Sequence, residues 1–212
     1  MGLGRSRGVT PDSCTVRDDR MVIEGILLIG GGASAGKTTA ALSIAHELGV
    51  ERVVRLDDAR RGHPQDVHRL DGADVWDSAP DDLFQLLLEE TASRHAVLAH
   101  LVAGMRSDGT RAIIEGEGVE PEIVETLAAS APVRGVYVIE TDAVVLRRTF
   151  AARPSAPRFL ALRPGQQLAV VEMNRLYATW LRDEAARRGQ PWVQSRPWAT
   201  LPQRVLRAVG AR

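Results

Sequence analysis

Short apolar runs alternate along this chain with longer stretches in which apolar residues recur every three or four positions, the pattern of buried strands alternating with amphipathic helices. The runs predict strands at residues 22–29, 52–56, 111–115, 133–139 and 192–194. The periodic stretches predict helices at 37–48, 81–106, 121–129, 142–152, 165–188 and 201–209. Ser78 before Pro80, Thr141 before Asp142 and Thr200 before Pro202 stand where helices start, and Gly49 stands where the first one stops. Strands joined through helices in this way predict an α/β fold, a doubly wound five-stranded parallel sheet with helices on both faces.

The first strand runs directly into a glycine-rich loop. Gly31-Gly32-Ala33-Ser34-Ala35-Gly36-Lys37-Thr38 matches G-x-x-x-x-G-K-[ST] at every fixed position, and Ala41, Leu42, Ile44, Ala45 and Leu48 follow at helical spacing. In such a P-loop the glycines let the backbone wrap an anion with successive N–H groups pointing inward, and the helix N-terminus adds its partial positive charge. Gly32, Ala33, Ser34, Ala35, Gly36, Lys37, Thr38 and Thr39 are therefore the expected phosphate cradle. Lys37 would reach the β- and γ-phosphates of ATP, and the Thr38 hydroxyl would sit on Mg2+. Lys37 is also the only lysine among 27 lysines and arginines. Ammonium is a compact charge on a thin stem and guanidinium a wide planar fork, so a position kept for lysine in an arginine-rich chain is a tight one.

Open parallel sheets bind ligands beyond the carboxyl ends of their strands, which directs attention to the residues after each run. The second strand is followed by Asp57-Asp58-Ala59-Arg60-Arg61. Adjacent carboxylates are costly unless a cation or a transferable proton uses them, so one of Asp57 and Asp58 is expected to serve as general base, with Asp58 and Arg61 facing a substrate. After the third strand, Glu115 occupies the place of the acid that holds Mg2+ in P-loop proteins, one methylene longer than the usual Asp, and Glu117 within Gly116-Glu117-Gly118 is placed to touch substrate or metal. Residues 147–165 hold Arg147, Arg148, Arg153, Arg158 and Arg163 between prolines, as a mobile lid would. Arg148, Arg153 and Arg158 are the expected neutralisers of charge on a transferred phosphoryl group.

Composition narrows the field. With 212 residues the chain is read as a loose extension, 1–20, ahead of one domain, 21–212. Twenty-seven acidic residues balance the basic ones, so no global field favours nucleic acid or an anionic membrane. A lone cysteine, Cys14, and the lack of a long apolar run lead to the expectation of a cytoplasmic protein. Without a second lysine there is no Asn-Lys-x-Asp guanine motif, which excludes ordinary GTPases of the Ras type, and no signature of ABC or AAA motors is present. His63 and His68 lack the spacing and the cysteine partners of a zinc site. Met173, Leu176, Tyr177, Trp180 and Leu181 read as a core stripe, whereas Trp192 and Trp198 around Pro197 suit either packing or an adenine-side contact.

The loop at 31–38, the acids at Asp57 and Asp58 and the late arginine-rich segment together resemble the P-loop small-molecule kinases, from about residue 22 onward. That group includes nucleoside and nucleotide kinases, 2-phosphoglycerate kinase-like proteins and chloramphenicol phosphotransferase-like proteins. The resemblance implies that the acid after the second strand is the catalytic base, that ATP and Mg2+ are the cofactors, and that the partner is a small-molecule phosphoryl acceptor. Two alternatives use the same loop: a nucleoside monophosphate kinase, and a regulatory ATP-binding module or slow NTPase with no acceptor.

Overall fold

The computed structural model describes residues 25–59, 75–153 and 156–210. Five strands form one parallel sheet: β1 (Ile26–Gly31), β2 (Arg52–Arg55), β3 (Ala112–Glu115), β4 (Val133–Ile139) and β5 (Trp192–Gln194), in the order β2-β3-β1-β4-β5. β1 is central and buried along its whole length, as expected of a parallel strand covered on both faces. Its register sets Ile29 beside Glu115 of β3 and Gly31 beside Val138 of β4, which brings the P-loop and the β3 exit to the same end of the sheet.

The helices divide between two faces. α1 (Lys37–Leu48) and α9 (Leu201–Ala208) cover one, burying Ile44, Val205 and Leu206 against Leu27, Ile29 and Val136. On the other lie α3 (Pro80–Ser93), α4 (His95–Ser107), α5 (Pro121–Ala128) and the 24-residue α8 (Pro164–Arg187), packed around Leu28, Ile114, Tyr137 and Tyr177. The expected stripe on α8 is core: Met173, Tyr177 and Leu181 are buried, and Trp180 stacks on Tyr177 and meets Phe84 edge-on. α6 (Ala143–Ala152) and α7 (Ala156–Leu160) join the start of α8 around a small separate core of Leu146, Phe150, Phe159, Val170 and Val171. α2 (Leu56–Ala59) is a single turn after β2.

The predicted helix at 81–106 is two helices, broken at Arg94. Ser93 Oγ donates to the Glu90 carbonyl, the acceptor a continuing helix would offer the Arg94 N–H, which turns instead to the Thr91 carbonyl at 3.0 Å. The cap of α6 is Asp142, whose carboxylate accepts from the N–H groups of Val144 and Val145 at 2.8 and 3.1 Å, not Thr141. Ser78 does not cap α3, which starts from Ala79 with proline in its first turn, and Thr200 makes no side-chain cap to α9. β2 is one residue shorter than expected because Leu56 turns into α2 and is fully buried there. Among the described residues no helix is long and apolar enough to cross a membrane.

Candidate functional site

The P-loop turns sharply between β1 and α1. Gly36 stands at φ 96° and Ser34 at φ 66°; the backbone at Gly36 favours glycine, and a Cβ there would come within 3.2 Å of the Trp198 indole nitrogen, which would have to give way. Lys37 is buried, and its Nζ donates to the Gly32 carbonyl at 2.8 Å. Its stem runs along Gly31, where an added Cβ would meet Lys37 Cδ at 3.3 Å. Thr39, also expected in the cradle, is the exposed residue of that first helical turn.

Thr38 and Glu115 come together. The Thr38 hydroxyl donates to Glu115 Oε1 at 2.7 Å, and Glu115 is only 3% exposed. Both offer hard oxygens, the donor type that suits Mg2+, an ion that keeps several waters and rarely needs more than one or two protein ligands beside substrate phosphates. Among the described residues there is no cluster of three or more His, Cys, Asp or Glu side chains suited to a metal held by protein alone. The two oxygens of the Thr38–Glu115 pair fit the donor set of Mg2+.

The acids after β2 pair with different arginines. Asp57 Oδ1 accepts from Arg94 Nη1 at 3.2 Å, and Asp58 pairs with Arg55 at 3.2 Å. Arg94 was not apparent as a site residue, yet it is the best-connected side chain here. It is 3% exposed; Nη2 donates to Glu90 Oε1 at 2.6 Å, while Nη1 reaches the Glu117 carbonyl at 3.2 Å and the Glu117 carboxylate at 3.5 Å. Burial pulls its pKa down, but the carboxylates of Glu117, Asp57 and Glu90 outweigh that and hold it above the ordinary arginine value. One guanidinium thus ties the turn after β2, the end of α3 and the loop after β3. Its sequence signal was its phase: Leu83, Leu87, Glu90 and Thr91 are the buried positions of α3, and Arg94 falls next on that stripe. Arg94→Met leaves those acids without their shared cation and is expected to lower stability by about 3–5 kcal/mol, with partial recovery in Arg94→Met/Glu90→Gln, measured by urea unfolding.

Of the three lid arginines expected to neutralise the transferred phosphoryl group, Arg153 reaches the loop, its Nη1 donating to Ser34 Oγ at 3.0 Å while its guanidinium lies over the Phe150 ring. Arg148 and Arg158 are exposed on α6 and α7 and make no hydrogen bond or ion pair to the loop. Arg61, His63, His68, Cys14 and the segment 1–20 lie outside the described residues.

The turn after β5 closes the far side of the loop. Ser195 Oγ donates to the Ala35 carbonyl at 2.8 Å and accepts from Trp198 Nε1 at 3.1 Å. The Arg196 guanidinium covers the Trp198 ring at 3.7 Å, donates to Thr149 of α6 at 3.1 Å and lies 3.5 Å from Glu140. A cavity of about 510 Å³ lies between Trp76–Pro80 and the first turns of α8, where Asp77 accepts from both Arg163 and Gln166.

The chain shares this α/β fold with solved structures of kinases. A gluconokinase from Sinorhizobium meliloti 1021 superposes with a TM-score of 0.54 at 15% identity, over 89% of this chain and 93% of its own. A sugar kinase from Janibacter sp. HTCC2649 gives 0.56 at 18% identity, over 88% and 95%. A shikimate kinase from Bacteroides thetaiotaomicron gives 0.52 at 15% identity, over 86% and 95%. No protein-family profile matches the chain, and no curated protein matches it by sequence.

Proposed function

We propose that this protein is an ATP-dependent phosphotransferase that moves the γ-phosphoryl group of Mg·ATP to a hydroxyl or phosphate of a small molecule. The observation that carries this reading is the arrangement at one end of the sheet: a buried P-loop lysine, a Thr38–Glu115 oxygen pair beside it, and a separate carboxylate, Asp57, held by Arg94. A bare nucleotide sensor needs the first two and has no use for the third.

In this mechanism the loop amides and Lys37 hold the β- and γ-phosphates. Thr38 and Glu115 would hold Mg2+, which would supply charge neutralisation to the phosphates when bound. Asp57 orients the acceptor and takes its proton, Arg94 fixes Asp57, and Glu117 and Asp58 border the acceptor side, with Arg61 assigned there from sequence alone. Arg153 closes over the loop, and the segment 147–165 is the lid. Phosphoryl transfer asks little covalent chemistry of the protein, so positioning and charge neutralisation supply the rate.

Trp198 and Arg196 are assigned to the nucleotide site, since Trp198 borders Gly36 of the loop and the Arg196 guanidinium lies over the Trp198 ring. Trp198→Ala is expected to weaken ATP binding about three- to tenfold, read by calorimetry. ATP should also change wild-type tryptophan fluorescence, and most of that signal should vanish in the variant.

The class is tested by ADP release from Mg·ATP, with Lys37→Ala as the blank and a panel of nucleosides, nucleoside monophosphates, sugars, gluconate, shikimate, glycerate phosphates and hydroxylated antibiotics. The last two follow from the resemblance to 2-phosphoglycerate kinase-like and chloramphenicol phosphotransferase-like proteins. Stimulation by one class identifies the acceptor. Tight ATP binding with slow release that no compound stimulates would favour the regulatory module.

A further inference from the structure

Arg55, the last residue of β2, lies beside the Thr38–Glu115 pair. Its Nε is 3.5 Å from Glu115 Oε1, the same oxygen that accepts the Thr38 hydroxyl at 2.7 Å. Its Nη1 is 3.2 Å from Asp58 Oδ2, so one guanidinium spans the acid after β3 and the second acid after β2. The parallel register sets Arg55 directly beside Glu115, which makes their proximity a property of the sheet.

The charges explain why the register matters. Glu115 is buried, and a buried carboxylate needs a counter-charge as well as a hydrogen bond. Thr38 supplies only the hydrogen bond. Arg55 supplies the charge, and with a side chain 53% exposed it has room to move away. A divalent ion arriving on a nucleotide is a second cation for the same carboxylate, and the two repel at that separation.

We propose that Arg55 is the resident counter-cation of the metal site: it spans Glu115 and Asp58 until the metal arrives with the nucleotide, then releases Glu115 while keeping Asp58, and so sets how tightly the metal is taken. This rests on Thr38 and Glu115 being the metal contacts, as proposed above.

The test uses Mn2+ as the probe, followed by electron paramagnetic resonance, in the full-length protein with saturating ADP. Arg55→Gln should bind Mn2+ about three- to fivefold more tightly than wild type, and Arg55→Lys should stay close to wild type. In a Glu115→Gln background the Arg55→Gln gain should disappear, and metal-free ADP affinity, measured by calorimetry, should not change with Arg55→Gln. Unchanged or weaker Mn2+ binding in Arg55→Gln would overturn the proposal, as would a gain that persists without Glu115. A fall in metal-free ADP affinity would place Arg55 on the phosphates and overturn it too. A wild-type protein that binds no Mn·ADP would instead remove the nucleotide reading beneath it, whereas normal wild-type binding with no Arg55 effect removes this inference alone.

Discussion

Lys37→Arg is expected to lose at least about 100-fold in turnover although it keeps the positive charge. The lysine stem lies against Gly31, and its ammonium sits under the loop on the Gly32 carbonyl in a position only 8% exposed. A planar fork several ångströms wide has no place there without opening the loop, and an opened loop no longer aims its amides at one phosphate. ADP-release kinetics with a melting curve for each variant would check this. Near-normal turnover in a folded Lys37→Arg protein would mean that the loop tolerates any cation.

Asp57→Asn is expected to reduce acceptor-dependent turnover by about 100-fold or more while leaving ATP affinity within about threefold of wild type. Asp58→Asn should cost clearly less. The two acids differ in what holds them: Asp57 is fixed by a buried arginine that also grips Glu90 and Glu117, whereas Asp58 pairs with the half-exposed Arg55. A base must be held in place to be effective, and a rigid partner does that better than a mobile one. Single-turnover kinetics beside calorimetric ATP binding separates the two effects. Equal losses in both variants, or a parallel loss of ATP affinity, would reassign the base.

How far the sequence reached depended on how local each signal was. β4 and β5 match their predicted bounds, and α1 follows from the loop motif, because apolar runs and glycine spacing are written into a few consecutive residues. The break at Arg94 was not legible, since periodicity continues through it and what marks the interruption is the turn of the Arg94 N–H to the Thr91 carbonyl. Arg94 itself carried a signal that went unread, a charge on a buried stripe. The arginines of residues 147–165 could be grouped from sequence but not sorted. Which of them meets Ser34 depends on how α6 leads out toward α7, and Arg153 does so where Arg148 and Arg158 do not. Arg55 carried no local signal, because its place beside Glu115 is a matter of register between strands whose residues stand 60 positions apart in sequence.

The central claim is that the γ-phosphoryl group ends on an organic acceptor. Phosphorus NMR of Mg·ATP incubated with the protein and the acceptor panel tests it most directly, because it follows the group itself. The prediction is a new phosphate-ester or phosphoanhydride resonance that grows with ADP in the wild type, is absent with Lys37→Ala and is strongly reduced with Asp57→Asn. Inorganic phosphate as the sole product, formed at the same rate with and without every compound and unaffected by Asp57→Asn, would contradict it.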